Sequence, residues 1–399
     1  MFSLNPYPVR TFWETNYKKA IPEITADQSA FHFAALNAQI QESSVYGSLS
    51  EVADNDKLLE GVLNSAILSC GGSMHSIKKK WTLAAKNKVK HLVINATEGE
   101  PFTFKDYYLM ENYPMLVVEA LAVAAKLLGV KKVHLGINSA YMGAGCRLVT
   151  AWTDLKSKHS NFPFMMDVTY TPELYVIGEE TSLINFFEGG RGEPRIKPPL
   201  PMEKGLFGEP TLVSNVETIC WVLAHLTNQD VFNNGFKKLS TLIYGEEVMV
   251  VEATIGMPFT ELAAMVGASS SAYVEVGGVS GTFLTMQQLN DAKWSNESLA
   301  SVGAFVGSGT VRFFDDLETV GLEVGKSLAF FESNTCGQCT PCRVGTQRLV
   351  YQFGAKNVEH DAIFMTGKAM KLTSLCGLGK AASNPVCTYL ANIKGVAAK

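Results

Sequence analysis

Three cysteines stand at successive two-residue gaps in Cys336-Gly-Gln-Cys339-Thr-Pro-Cys342, and a fourth, Cys376, follows on a separate loop. Thiolates at that spacing reach three corners of one compact inorganic centre, and the distant loop supplies the fourth. This is the ligand arithmetic of a [4Fe–4S] cluster. A structural zinc site accepts four thiolates equally well, and unliganded buried cysteines are the bland alternative. Clustering at this density favours a metal centre, and the spacing favours iron–sulfur over zinc. Pro341 stiffens the loop and removes one backbone donor. Cys376 sits among Ser374, Gly377 and Gly379, as a loop ligand should. Cys387, the rival fourth ligand, lies in an apolar segment, 385–393, that reads as helix. Cys70, Cys146 and Cys220 are scattered and read as buried or bystander thiols.

A second set of polar residues marks the ends of apolar runs. Residues 90–95 read as a short strand ending at Asn95, and Thr97-Glu98-Gly99-Glu100-Pro101 is a turn at its carboxyl end. Residues 115–128 are rich in Ala and Leu, read as helix and stop at Gly129; 132–137 is the next strand. Strand, turn, helix and strand describe a βαβ unit with a parallel sheet, and such sheets bind ligands at the carboxyl ends of their strands. Residues 174–177 read as a further strand, after which Gly178-Glu179-Glu180-Thr181 opens a helix by the same logic. On pattern alone, Glu98 and Glu100 are solvated turn carboxylates, and Glu179 and Glu180 are acidic charges that favour a helix dipole. His91, His134 and His225 read as core histidines, His75 as a polar loop residue, and Lys78-Lys79-Lys80 as a solvated charge run.

The elements that must position these groups are read more coarsely. A chain of 399 residues suggests two or three domains. Residues 1–60 carry no assignable chemistry, although 31–41 reads as one helix. Three prolines between 196 and 202 rule out regular structure there. Short strands at 241–244, 248–253 and 272–276, with one helix at 260–265, suggest a small β-rich domain, and the chain reads as helical from 329 onward. Hydrophobic content of 47% supports a substantial core, and a net charge of −4 offers no electrostatic reason to bind nucleic acid or an anionic membrane. No secretory signal is visible, and no apolar window approaches roughly 18 residues, so no membrane span is expected. Thiols without a signal suggest a reducing, cytoplasmic setting, free or peripheral to a membrane complex.

Several segments together resemble a known family. They are Thr97 to Asp106, Gly178-Glu-Glu-Thr-Ser-Leu-Ile184, Arg191-Gly-Glu-Pro-Arg-Ile-Lys-Pro-Pro199, residues 210–218, and Cys336 to Thr346. They resemble, in order and over roughly residues 60–390, the NADH- and flavin-binding subunit of respiratory complex I and its homologues in NAD-linked hydrogenases and formate dehydrogenases. The resemblance implies an α/β flavin-binding domain with a parallel sheet (61–237), a small β-rich ubiquitin-like domain (238–325) and a C-terminal helical bundle (326–399) carrying one [4Fe–4S] cluster on Cys336, Cys339, Cys342 and Cys376. It also implies FMN near Gly71, Gly72, Lys80, Asn95, Glu98, Glu180 and Asn215, and hydride donation by NADH. No catalytic residue is assigned.

The departures bear on function. Where the family reads roughly Gly-Arg-Gly-Gly-Ala-Gly-Phe-Pro-Thr-Gly-Leu-Lys-Trp, this chain has Ser69-Cys-Gly-Gly-Ser-Met-His-Ser-Ile-Lys-Lys-Lys-Trp81. Ser69, Met74 and Lys78 replace glycines, and a β-carbon penalises close backbone approach and positive φ. Three aromatic positions that the family uses against the nicotinamide cofactor are His75, Leu83 and Leu200. Thr97 and Ser214 replace an Asp and an Asn. Each lost platform removes ~1 kcal/mol or more, so three raise a dissociation constant on the order of a hundredfold.

The expectation is an electron-transfer subunit that holds a [4Fe–4S] cluster, with FMN as an open question and little NADH oxidation. It would work in a hetero-oligomeric complex with other iron–sulfur or redox subunits, without nucleic acid and without direct membrane insertion. A functional NADH:acceptor enzyme and a flavin-free scaffold with a structural cluster are the alternatives.

Overall fold

The computed structural model describes residues 19–27, 31–51, 54–160, 162–355 and 359–396. Helices α1 (His32–Glu42), α2 (Val45–Glu51) and α3 (Asn55–Leu63) lead into α4 (Lys78–Lys86), β1 (His91–Ala96), α5 (Lys105–Asn112) and α6 (Pro114–Leu128). Helix α6 is apolar on nearly every face, so it is the central buried helix, with α1, α2 and α3 packed on it. Its one buried acid, Glu119, accepts from the backbone N–H groups of Val45 and Tyr46 at 2.8 and 2.9 Å and so caps α2.

The chain continues through β2 (Lys132–Asn138), α7 (Met142–Lys158), β3 (Met165–Thr171), α8 (Glu180–Phe187), β4 (Thr211–Asn215) and α9 (Val216–Thr227). The four strands are parallel in the order β3-β2-β1-β4. Covering on both faces makes β1 and β2 almost continuously apolar and buried. The pairing sets Asn95 opposite Asn215 at the carboxyl ends of the two neighbouring strands.

A second, mixed sheet follows, formed by β5 (Lys237–Tyr244), β6 (Glu247–Thr254), β7 (Tyr273–Val276), β8 (Thr282–Thr285) and β9 (Thr310–Phe314), with α10 (Phe259–Met265) and α11 (Asn296–Leu299) between strands. Its order is β6-β5-β9-β7-β8, with β5 and β9 parallel and the other neighbours antiparallel. The chain ends in α12 (Leu317–Asn334), α13 (Thr340–Phe353), α14 (His360–Thr373), α15 (Gly377–Ala381) and α16 (Asn384–Thr388), which runs into a π-turn. No described helix is long and apolar enough to cross a membrane.

One expected strand is absent. Residues 174–177 form a 3₁₀ turn, Tyr175–Gly178, closed by a hydrogen bond from Ile177 N to Leu174 O. Tyr175 N donates to Asn334 Oδ1 at 2.9 Å, and the Tyr175 ring packs edge-on against Phe330 and Phe331. That anchorage on α12 overrides the β propensity of the apolar run. The outer neighbour of β2 is β3, which lies just upstream and is not among the expected strands. β4, β8 and β9 are further additions to them.

Candidate cofactor cavity and thiol cage

The turn after β1, the amino end of α9 and the loop before α4 converge at the carboxyl end of the parallel sheet. Between them lies a cavity of about 370 Å³ whose wall includes Gly71, Gly72, Asn95, Glu98, Lys105, Asp106 and Asn215. Its far wall comes from loops between strands of the second sheet (Gly277, Ser280, Phe305, Gly307) and from the C-terminal segment at Cys376, Gly377 and Leu378. Three separate parts of the chain therefore enclose one space.

The loop before α4 is a hairpin: Ser69 N donates to His75 O and Met74 N to Ser69 O. Gly72 has φ +116° and nothing within 4 Å of where a Cβ would stand. A flat ligand has room to approach the backbone there. Met74 adopts φ +51°, the conformation its β-carbon disfavours, and its side chain turns into the core, 7% exposed. Met74 and His75 do not line the cavity. Leu83 and Leu200 pack on the core, and neither lines the cavity.

Beneath the loop is a buried charge network that the sequence reading missed. Lys105 Nζ lies 2.5 Å from Asp106 Oδ1 and 3.0 Å from Glu217 Oε2. Lys238 Nζ lies 3.4 Å from Glu217 Oε2 and donates to Cys70 O at 2.9 Å. Asn215 Nδ2 donates to Asp106 Oδ2 at 2.7 Å. Burial alone would raise the Glu217 pKa, but Lys238 and Lys105 outweigh it and the net shift is downward. For Lys105 burial acts downward, and Asp106 and Glu217 outweigh it. The available sequence signals were the adjacent Lys105-Asp106 pair and the acid two places after Asn215. Lys238 had none.

Glu98 is also turned to structural use. Its carboxylate accepts from Asp106 N at 3.0 Å and from the Tyr141 hydroxyl at 2.9 Å, which caps the amino end of α5. Lys19, from the segment without assigned chemistry, donates to Glu98 O at 2.9 Å and Thr103 O at 2.7 Å. Burial lowers the Lys19 pKa to about 8 against the pull of Glu98. Asn95 accepts from Thr97 N and Oγ1 and donates to Gly178 O at 2.8 Å, tying the two acidic turns together.

Of the expected flavin contacts, Gly71, Gly72, Asn95, Glu98 and Asn215 share the cavity. Lys80 and Glu180 lie outside its wall, paired with each other at 2.7 Å. Lys197 adds a second cation 2.9 Å from Glu180, and despite burial the two cations hold the carboxyl down at about 2. Tyr175 was also missed. It lines the cavity, and its hydroxyl donates to Glu100 Oε1 at 3.2 Å.

At the C-terminal end, Cys342 is buried, and its thiol lies in the field of Cys339, Cys376 and Cys336. Burial pushes it up to about 11, the neighbouring thiols add to this, and the Thr335 hydroxyl opposes it. Burial pushes the Cys376 thiol up, and the nearby backbone N–H groups of Gly379 and Leu378 oppose it. Cys387 is elsewhere: Ser383 and Lys371 are its polar neighbours, and its sulfur packs beside Gly367 of α14. Among the described residues, no three His, Cys, Asp or Glu side chains converge on a point that would hold a single metal ion. Four thiolates on one zinc need sulfur within ~2.3 Å of that point. In a polynuclear cluster each thiolate binds its own iron, so the four need not meet at one point.

Comparison with known proteins agrees with this geometry. The family described as "Nuo51 FMN-binding domain" matches residues 62–224, and the "NADH-ubiquinone oxidoreductase-F iron-sulfur binding region" matches residues 323–395. The chain is 32% identical to the HndC subunit of the NADP-reducing hydrogenase of Solidesulfovibrio fructosivorans, over 84% of this chain and 74% of that one. It is 30% identical to a subunit of the NADH-quinone oxidoreductase of Aquifex aeolicus, covering 82% of each. It is also 30% identical to the alpha subunit of the NAD-reducing hydrogenase HoxS of Cupriavidus necator, but spans 59% of that protein's length. A crystal structure of an NAD⁺-reducing [NiFe]-hydrogenase in the H₂-reduced state superposes with a TM-score of 0.77 at 27% identity, over 97% of this chain and 66% of that one. The chain belongs to the family of flavin- and iron–sulfur-binding subunits whose members occur in NADH-quinone oxidoreductases.

Proposed function

We propose that this chain is an electron-transfer subunit of a multi-subunit oxidoreductase, holding FMN in the cavity and one [4Fe–4S] cluster on Cys336, Cys339, Cys342 and Cys376. The observation that carries the proposal is the shared wall: the cavity that begins at Gly71 and Gly72 ends at Cys376. A group in the cavity therefore sits directly against a ligand loop of the cluster. FMN, when bound, accepts electrons in pairs and releases them singly. The protein's part is to hold it. Gly72 leaves space for a flat ring. The amino end of α9 begins at Asn215, which lines the cavity and caps the helix through Glu217 N at 3.1 Å, and its dipole favours a phosphate. The Lys105–Glu217 network fixes that helix end from below.

NADH is a poor donor on this reading. His75 is exposed, and Leu83 and Leu200 are turned to the core, so none of the three offers a flat face to the cavity. The names of the hydrogenase relatives favour a second reading, in which a nicotinamide nucleotide reduces the chain through other contacts. A visible spectrum of anaerobically purified protein separates the two. Flavin bands with an iron–sulfur shoulder, bleached by dithionite and not by micromolar NADH, support the first. Rapid bleaching by NADH overturns it in favour of the second.

The relatives are named as subunits, which supports redox partners docking near the C-terminal bundle. Units at 61–237, 238–325 and 326–399, after an N-terminal extension, follow the succession of parallel sheet, mixed sheet and C-terminal helices, although the last boundary falls inside α12. The strand order of the middle sheet, with α10 in its crossover, supports a ubiquitin-like domain. A cytoplasmic location, free or beside a membrane complex, completes the proposal.

A further inference from the structure

Two hydroxyl groups accompany the four thiols. Thr335 Oγ1 lies 3.2 Å from Cys342 Sγ and accepts from Gly337 N at 3.2 Å, so its own proton is left for the sulfur. Ser374 is different. It is 5% exposed, and its hydroxyl has no hydrogen-bond partner. An unpartnered buried hydroxyl costs ~1–3 kcal/mol in proteins, and an alanine at the same place would carry no such cost. The ordinary role for a serine at the end of a helix is to satisfy backbone groups. Here the backbone N–H of Ser374 closes α14 onto Met370 O, and the side chain takes no part.

The position of the hydroxyl is set by a close approach. The point where Gly379 would carry a Cβ lies 2.6 Å from Ser374 Oγ and 2.9 Å from Cys342 Cβ. Only glycine lets α15 come this near, and the result is that Ser374, Gly379 and Cys342 meet at one spot. Ser374 is also two residues before Cys376. The orphaned donor is thus flanked by two of the four proposed ligands.

We infer that Ser374 donates its hydroxyl proton to a sulfur of the cluster, thiolate or bridging sulfide, and thereby raises the cluster's reduction potential. The inference rests on the assignment of the cluster to Cys336, Cys339, Cys342 and Cys376. Reduction adds one electron, and so one negative charge, to a group whose ligands do not change. A donor O–H stabilises the more negative form more strongly, which moves the potential upward. Thr335, already on Cys342 Sγ, acts in the same direction. Ser374 is the second donor, and the cluster supplies the acceptor that its surroundings in the protein lack.

The test uses the full-length chain. Iron and acid-labile sulfide are counted first, then the midpoint is measured by EPR-monitored redox titration. Ser374→Ala is expected to keep its iron and to titrate lower by ~59 mV, the tenfold change of a one-electron equilibrium. Ser374→Thr, which keeps the hydroxyl, is expected to stay near the parent midpoint. A fully loaded Ser374→Ala with the parent's midpoint overturns the inference. So does a Ser374→Thr that falls as far as the alanine variant, because packing and not the O–H would then set the potential. If Ser374→Ala fails to load, a Thr335→Val chain carries the test. Brief transfer to D₂O labels hydroxyls ahead of buried amides, and the reduced cluster should show a strongly coupled deuteron. Its absence overturns the inference. Absence of iron from the parent chain would instead remove the cluster assignment itself.

Discussion

Replacing Glu217 with glutamine tests whether the charge network beneath the cavity holds the site. Glu217 is fully buried and accepts from Leu239 N at 2.6 Å and Trp221 Nε1 at 3.3 Å. Its other oxygen lies 3.0 Å from Lys105 and 3.4 Å from Lys238. Glutamine keeps the shape and the first two bonds. It removes the one full negative charge between two buried ammonium groups and sets a donor amide against them. Breaking a buried ion pair in this way costs about 3–5 kcal/mol. For domains of this size that is a fall in Tm on the order of 10 °C. The assay is thermal unfolding followed by near-UV circular dichroism, since Trp221 sits in the network. Lys105 keeps Asp106 at 2.5 Å, so Lys238 is the cation left without a carboxylate; adding Lys238→Met removes it and should recover part of the loss, a coupling read from the double-mutant cycle. A Glu217→Gln protein melting within about 2 °C of the parent would refute the argument. So would a double variant that recovers nothing.

Two further outcomes follow from the site. Cys376→Ser is expected to lose or convert the iron–sulfur signal while Cys387→Ser keeps full iron; zinc in place of iron, or iron lost from Cys387→Ser, would contradict the ligand set. The Glu180 carboxyl titrates at about 2 in the folded chain against an ordinary 4.5, so its pairing stabilises the fold fully above pH 4.5, and that contribution is lost as the pH falls toward 2. Lys80→Met should move the Glu180 titration upward in a carbon-13 carboxyl experiment, and a midpoint still at about 2 would show that Lys197 alone sets it.

What was legible in the sequence was local. The βαβ unit announced itself because β1 and β2 are buried on both faces and α6 ends at Gly129, where φ is +66°. Cys376 faces the other three thiols and Cys387 packs beside Gly367, a difference foreshadowed by the different composition of their two segments. Strand β3 escaped because it is an edge strand: Met165 and Asp167 are exposed and its apolar pattern is weak. The run at 174–177 misled because its conformation is decided by Asn334, more than 150 residues away. Lys19, Glu217 and Lys238 were illegible for the same reason. Lys19 and Lys238 are each the second of a lysine pair and Glu217 stands alone among uncharged neighbours, and the meaning of all three comes from partners that only the fold brings near.

The cavity wall is drawn from residues as far apart as Gly71 and Ala381. Any molecule that settles there touches all three parts at once, so its binding free energy is also free energy of holding them together. By mass action, an occupant at a hundred times its dissociation constant adds about 2.7 kcal/mol to the assembled form over any form in which one wall has swung away. The same coupling runs backward. During synthesis the last wall leaves the ribosome some 300 residues after the first. A fragment that stops short of Cys376 offers an open trough in place of an enclosed chamber. Loading is therefore tied to completion of the chain, and a released occupant is a sign that the C-terminal helices have come loose.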